Sequence, residues 1–233
     1  MVCNIPLILG ANKKIKNMIT ANENFWKVFK ETNGALSVAE SICIMNLAAQ
    51  APQGNYAEFG VYKGKSLISA MQSLNSKGVF YLVEPEFKSR EWILEVLDTI
   101  TKIKHETSFL SIEPVKEYSV DFLKSNIVTH FSYVMVDSGS HQDGLPMQEV
   151  KLLEDRMVQG GIIAFHDFGN QFREPKEAAE YLVSTGKYEW INIEWQPIFD
   201  YVKEHDLENG NNSWHVYPEL PHPPNFVGAV KRV

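Results

Sequence analysis

No stretch constrains this chain more than Tyr56-Ala57-Glu58-Phe59-Gly60-Val61-Tyr62-Lys63-Gly64-Lys65-Ser66. It reads as the end of a buried strand, a glycine-bearing turn and the start of a helix. An open α/β sheet uses that junction, at its first turn, to hold a nucleotide-like ligand. Gly60 and Gly64 let the backbone bend sharply and come close to a ligand without Cβ interference. Glu58 sets a carboxylate at the carboxyl end of the strand. That charge repels a polyphosphate and attracts an ammonium group, so the turn favours a cationic ligand.

Four readings of the turn compete. A phosphate-binding loop needs four residues between its first glycine and Gly-Lys-Ser. Here only three separate Gly60 from Gly64, and Phe59 stands where that loop would have glycine. A dinucleotide fingerprint needs three glycines, of which two can be placed. A strand-turn-helix junction with no ligand is the third reading. The fourth, E-x-G-x-x-x-G-x-S, fits residue for residue.

The ends of the later strands favour the ligand-binding readings. Val79-Phe80-Tyr81-Leu82-Val83 is short, apolar and β-branched, as a strand buried on both faces should be. It stops at Glu84, twenty residues beyond Gly64, where a carboxylate can accept hydrogen bonds from two ribose hydroxyls. Phe109 to Lys116 is a third strand, weakened by Pro114. Phe131 to Val136 runs into Asp137-Ser138-Gly139-Ser140-His141. Gly160-Gly161 makes a turn before Ile162 to Phe165, which ends at His166-Asp167. Ligands of open α/β sheets sit outside the carboxyl ends of the strands, so Asp137, His141, His166 and Asp167 should face one site.

This ordered set resembles the class I S-adenosylmethionine-dependent methyltransferases over about residues 54 to 195, and within them a bacterial and phage-type subgroup similar to the macrocin and catechol O-methyltransferases. The resemblance implies a Rossmann-like α/β fold: a seven-strand, mostly parallel sheet with an antiparallel last strand and helices on both faces. It also implies that Glu58, Phe59, Gly60, Tyr62, Gly64, Ser66, Glu84, Tyr118, Ser119 and Asp137 surround S-adenosylmethionine, with Tyr118 and Ser119 at the polar pair beside the adenine. Ser119 read alone is equally a helix N-cap. In metal-dependent relatives an acid after the fourth strand and a pair after the fifth hold Mg²⁺. Asp137 and Asp167 match two of these positions, and His166 stands where Glu or Asn is usual. Imidazole is a poor partner for Mg²⁺, so the expectation is a softer divalent metal or none.

Methyl transfer needs an aligned acceptor and a way to remove the acceptor's proton. A metal or a histidine base can do this; His141 is the first candidate base and His166 the second, with Asp137 holding the imidazole or the metal. For either histidine the competing role is structural, bonding a loop carbonyl. The expected activity is O-methylation of a small-molecule or glycan-type hydroxyl. The alternative is a non-catalytic binding module that keeps the fold.

Composition sets outer limits. A net charge of −7 and a pI near 5.5 argue against a nucleic-acid substrate, because backbone binding needs a positive face. No run approaches the ~20 apolar residues that span a bilayer. Ile5 to Leu9 is too short for a signal-peptide core and lacks a basic region before it, and Cys3 and Cys43 have no metal spacing, so a cytoplasmic protein is expected. Residues 1–50 read as a helical N-terminal extension. Its Phe25, Trp26 and Phe29 stripe suits a lid or a homodimer element, and Ser37 with Glu40 forms a capping box. Residues 51–233 read as the methyltransferase domain. Helices are expected over Gly144 to Met157 and from Pro175 through Val183, and strands over Tyr188 to Trp195 and Phe226 to Val230. Residues 196–225 then form a long aromatic loop that walls a small or sugar-like acceptor or a dimer contact.

Overall fold

Strands and helices alternate along most of this chain, and that alternation dictates a parallel sheet with crossover helices. A computed structural model describes residues 18–34, 36–74, 78–87, 89–103, 110–139, 143–168, 172–207 and 227–233. Seven strands form one sheet: β1 (Tyr56–Phe59), β2 (Gly78–Val83), β3 (Leu110–Val115), β4 (Phe131–Val136), β5 (Met157–His166), β6 (Tyr188–Trp190) and β7 (Val227–Arg232). Their order is β3-β2-β1-β4-β5-β7-β6. β1 to β5 pair in parallel, and β7 runs antiparallel to β5 and β6, as expected. The order turns back between β1 and β4, and ligands of such sheets bind at that reversal. Pro114 is tolerated because β3 is an edge strand.

Eight helices are described: α1 (Glu23–Glu31), α2 (Val38–Ala48), α3 (Lys65–Met71), α4 (Arg90–Ile103), α5 (Ser119–Lys124), α6 (Leu145–Leu153), α7 (Glu174–Ser184) and α8 (Trp195–Glu204). Period-2 alternation splits the strand side chains between two cores. Tyr56, Phe80, Tyr133, Ile162 and Ala229 pack under α1, α2, α3, α4 and α8. Phe59, Val83, Val134, Phe165 and Val230 pack under α5, α6 and α7. Ala57 and Phe59 belong to the second face, so Glu58, between them, points to the first.

Local chemistry sets the helix starts. Asn22 Oδ1 accepts from Phe25 N at 2.9 Å and begins α1. Ser37 and Glu40 close the expected capping box on α2, with Glu40 Oε2 accepting from Ser37 N at 2.7 Å. Phe25, Trp26 and Phe29 are buried in the chain's own core, packed on one another.

Several expected boundaries differ. Gly160-Gly161 lies inside β5 rather than before it. The register jumps there, from Phe131↔Met157 to Tyr133↔Ile162, and a Cβ on Gly161 would press on the Val158 carbonyl. The strand consequently starts at Met157, and α6 ends at Leu153. β6 stops at Trp190, and the expected strand to Trp195 gives way to α8. Trp195, Ile198 and Val202 recur at helical spacing and are buried against the first core, so Phe199 and Tyr201 are helical rather than loop residues. From residue 208 to its end at 225 that expected loop lies outside the described residues, as does Phe226.

Candidate functional site

The β1–α3 turn is built by laced strand ends. Gly60 N donates to Val83 O at 3.0 Å, and Asp137 N donates to Phe59 O at 2.9 Å. Gly60 has φ +86°, and a Cβ there would run into the Asp137 carbonyl, so only glycine lets the β1 and β4 ends come this close. Glu84 holds the turn from the next strand. Its Oε2 accepts from Val61 N and Tyr62 N, both at 3.1 Å, and its Oε1 accepts from Glu86 N at 2.9 Å. The expected ribose ligand is thus also the brace of the glycine turn.

Two cavities open at this edge of the sheet. One, of about 480 Å³, is lined by Glu84, Tyr118, Ser119, Ser138 and Gly139 among others. The other, of about 630 Å³, is lined by Asn33, Lys65, Ser66, His166 and Asp167 among others. Tyr62 and Asp137 line both. Tyr62 and Asp167 each hold a left-handed backbone, φ +44° and +52°, uncommon outside glycine and frequent at functional sites. Trp92 Nε1 donates to Tyr62 O at 2.6 Å and fixes that strained turn.

Glu58 is completely buried and accepts from Ser66 Oγ at 2.6 Å through Oε1, while Oε2 has no hydrogen-bond partner. Burial raises its pKa to about 8; Ser66 opposes that rise, and the Asp137 charge adds to it. His166 ends β5 facing α2. Its Nδ1 lies 3.2 Å from Asp137 Oδ1 and 3.7 Å from Asp167 Oδ2, and its Nε2 lies 3.3 Å from Glu40 Oε1, within ion-pair range but not aligned for a hydrogen bond. Burial by itself would lower the imidazole pKa, but the Asp137 charge and hydrogen bond, with the Glu40 carboxylate close by, carry it well above its ordinary value. One imidazolium among three carboxylates leaves this pole of the site net negative.

Asp137, His166 and Asp167 each offer a donor atom, and these atoms all lie within 4.8 Å of one another. The structure thus brings together the three residues expected at a metal. Gly60, Tyr62, Ser66, Glu84, Tyr118, Ser119 and Asp137 also line the cavities as expected. Phe59 does not: its side chain packs on Phe122 in the far core, so it offers the site only backbone. Gly64 serves as the left-handed N-cap of α3. Ser119 is not an N-cap; Tyr118 holds that position, and Ser119 Oγ, like Ser138 Oγ, donates to Glu149 Oε1. His141 lies outside the described residues.

Sequence reasoning missed three residues. The sequence presents Glu40 only as a capping residue and gives Lys65 no role. Glu149 carried a signal: it shares the helical phase of Pro146, Val150 and Leu153, so its carboxylate had to be buried.

Residues 57–168, just under half of the chain, match a family model described as a methyltransferase domain. The fold is that of solved methyltransferases. Solved structures with this fold include an O-methyltransferase from Bacillus cereus in complex with SAH, at TM-score 0.55 and 12% identity, covering 73% of this chain and 83% of that one. An rRNA methylase from Streptococcus thermophilus matches at TM-score 0.53 and 11% identity, covering 86% and 99%. A methyltransferase homologue from Pyrococcus horikoshii matches at TM-score 0.54 and 13% identity, covering 82% and 67%. No curated protein matches the sequence. Among the described residues, no helix is long and apolar enough to cross a membrane.

Proposed function

We propose that this methyltransferase moves a methyl group to a hydroxyl oxygen of a small-molecule or sugar-like acceptor, in the manner of the macrocin and catechol O-methyltransferases it resembles. The observation that carries this reading is the junction of the two cavities. Tyr62 and Asp137 stand at the boundary between a nucleoside-sized space under Glu84 and Ser119 and a space walled by His166 and Asp167.

S-adenosylmethionine, when bound, supplies an activated methyl on a cationic sulfur. The protein does the rest. Glu84, with three of about four acceptor sites used by backbone N–H groups, keeps one for a ribose hydroxyl. The net negative pole of Asp137, Asp167, Glu40 and His166 favours a sulfonium. His166, a wall residue of the larger cavity held at Nδ1 by Asp137, is the candidate base for the acceptor's hydroxyl proton once the imidazole is neutral. His141, four residues beyond Asp137, is the companion candidate for this role. The Asp137, His166 and Asp167 donors also fit one divalent ion. Two carboxylates and an imidazole suit Mn²⁺ or Zn²⁺ better than all-oxygen Mg²⁺, and such an ion lowers the pKa of a hydroxyl bound to it. The formal charge of −7 speaks against a nucleic-acid acceptor.

The test is methyl transfer from labelled S-adenosylmethionine to a panel of phenols, catechols and glycosides, with and without EDTA. His166→Asn should lose about 10²-fold or more in rate while keeping SAH affinity within about threefold. Transfer by this variant at the unaltered rate would remove His166 from the chemistry; a rate unmoved by EDTA would remove the metal.

A further inference from the structure

Among the described residues, three polar side chains in the wall of the smaller cavity are buried: Glu84, Ser119 and Ser138. Glu84 already accepts from the backbone N–H groups of Val61, Tyr62 and Glu86. The two serines belong to different elements: Ser119 is the first residue of α5, and Ser138 follows β4. Their hydroxyls converge on one atom. Ser119 Oγ and Ser138 Oγ both donate to Glu149 Oε1, on α6. Glu149 is fully buried and lies behind the serines rather than in the cavity wall.

That convergence fixes the direction of two protons. A serine hydroxyl has one proton and two lone pairs, and an ionised carboxylate only accepts. Both protons therefore point toward α6, and Ser119 and Ser138 present lone pairs to the cavity. Two buried serines can be satisfied without a carboxylate. Between α2 and α3, Ser41 Oγ and Ser69 Oγ lie 2.7 Å apart in one hydrogen bond, and Ser69 Oγ donates to Lys65 O at 2.9 Å. Burying a carboxylate is costly even when it is hydrogen-bonded, so Glu149 has a use beyond satisfying its serines. With Glu84, the two serines make the buried polar lining of this cavity a hydrogen-bond-accepting surface. Such a surface accepts from an amine and repels a carbonyl oxygen. We propose that Glu149 is a positioning residue for base selectivity. By holding the protons of Ser119 and Ser138, it makes the smaller cavity select an amino-bearing nucleobase over its oxo counterpart. The proposal rests on the reading of this cavity as the nucleoside site of a methyl donor.

The experiment is calorimetric titration of the whole chain and its Glu149→Met, Glu149→Gln and Ser119→Ala variants with SAH and with S-inosylhomocysteine, in which a carbonyl replaces the adenine amine. Adenosine and inosine are the further probes, and unchanged thermal unfolding without ligand certifies each fold. The unaltered protein should bind SAH at least about tenfold more tightly than S-inosylhomocysteine. Glu149→Met releases both hydroxyls to turn a proton toward the cavity, so this ratio should fall by about threefold or more. Glu149→Gln, whose amide oxygen can take the place of Oε1, should restore part of it. Should the methionine variant not fold, Ser119→Ala, which removes one accepting group from the wall, should narrow the ratio in its place. A ratio near one in the unaltered protein would overturn the proposal. So would equal weakening of both ligands in the variants, because Glu149 would then act only through the fold. Failure of the unaltered protein to bind SAH would sink the methyltransferase reading. Adenosine held more tightly than inosine, with the preference lost in Glu149→Met, would then keep the accepting wall, and the absence of nucleoside binding would end both.

Discussion

A carboxylic acid at the centre of a sheet is a costly residue, and Glu58 is fully buried there. Its raised pKa, about 8, means that the carboxyl is largely protonated at neutral pH in the free protein. The folded value lies above the ordinary 4.5, so the folded state binds the proton more tightly. The stability this contributes is complete below 4.5 and is lost as pH rises through about 8. The Glu58→Gln variant should therefore show a flatter fall of the urea midpoint over that window than the unaltered protein. An ammonium ligand placed against Oε2 favours the ionised form, so binding SAH at pH 7 should expel a proton. Titrations in two buffers of different ionisation heat should give different binding heats for the unaltered protein and equal heats for Glu58→Gln. Equal heats in both proteins would mean that no ammonium reaches Glu58. The residue type and its place at the strand end were legible in the sequence. Its partner choice was not, because whether Ser66 serves a ligand or Glu58 depends on a rotamer that no spacing encodes.

Phe168, at the level of elements, shows what the residues after a catalytic strand do when they bind nothing. It is no metal ligand; it packs across β7, where a Cβ on Gly228 would fall well inside van der Waals distance of its ring, and against Trp190 of β6. The exit of β5 that carries His166 and Asp167 is thus pinned to the antiparallel edge of the sheet. Gly228→Ala should cost about 1–3 kcal/mol in chemical unfolding through overpacking. Phe168→Ala alone should cost about 2 kcal/mol. The double variant should fall short of the sum by at least about 1 kcal/mol, because the alanine methyl enters space the ring has left. Simple additivity would mean that ring and glycine do not meet. Strand ends such as Glu84 and Asp137 could be read from the sequence because a short apolar run followed by an acid has one meaning in a parallel sheet. α8 could not, since three apolar residues at helical spacing were embedded among aromatics and prolines that read as loop. The β5 irregularity was misread for a related reason: Gly-Gly signals a turn, and only the partner strand reveals that the chain stays paired through it.

For the whole molecule, the two cores meet the site from opposite sides of the sheet. β1, β2, β4 and β5 deliver Glu58, Glu84, Asp137 and His166 to one edge, while α2 brings Glu40 and α3 brings Lys65 from the first face. The first face also buries α1, so the N-terminal helical extension helps shape the cavity through Phe29 and the Asn33–Gly34 segment. Sequence patterning could not foresee this, because an aromatic stripe has the same spacing whether it covers its own sheet or a partner. A ligand held by groups from four strands and two helices has no binding site in the unfolded chain, so its affinity adds directly to stability. At SAH a hundredfold above its dissociation constant the gain is about 2.7 kcal/mol. For a chain of this size that raises the unfolding temperature by about 5–10 °C. ATP and NAD, whose phosphates would meet Glu84 and Asp137, should give no such rise. A rise with SAH alone fits a site whose acidic pole excludes polyphosphates. Equal rises with all three nucleotides would mean that only the nucleoside cavity discriminates and that the acidic pole does not select the ligand.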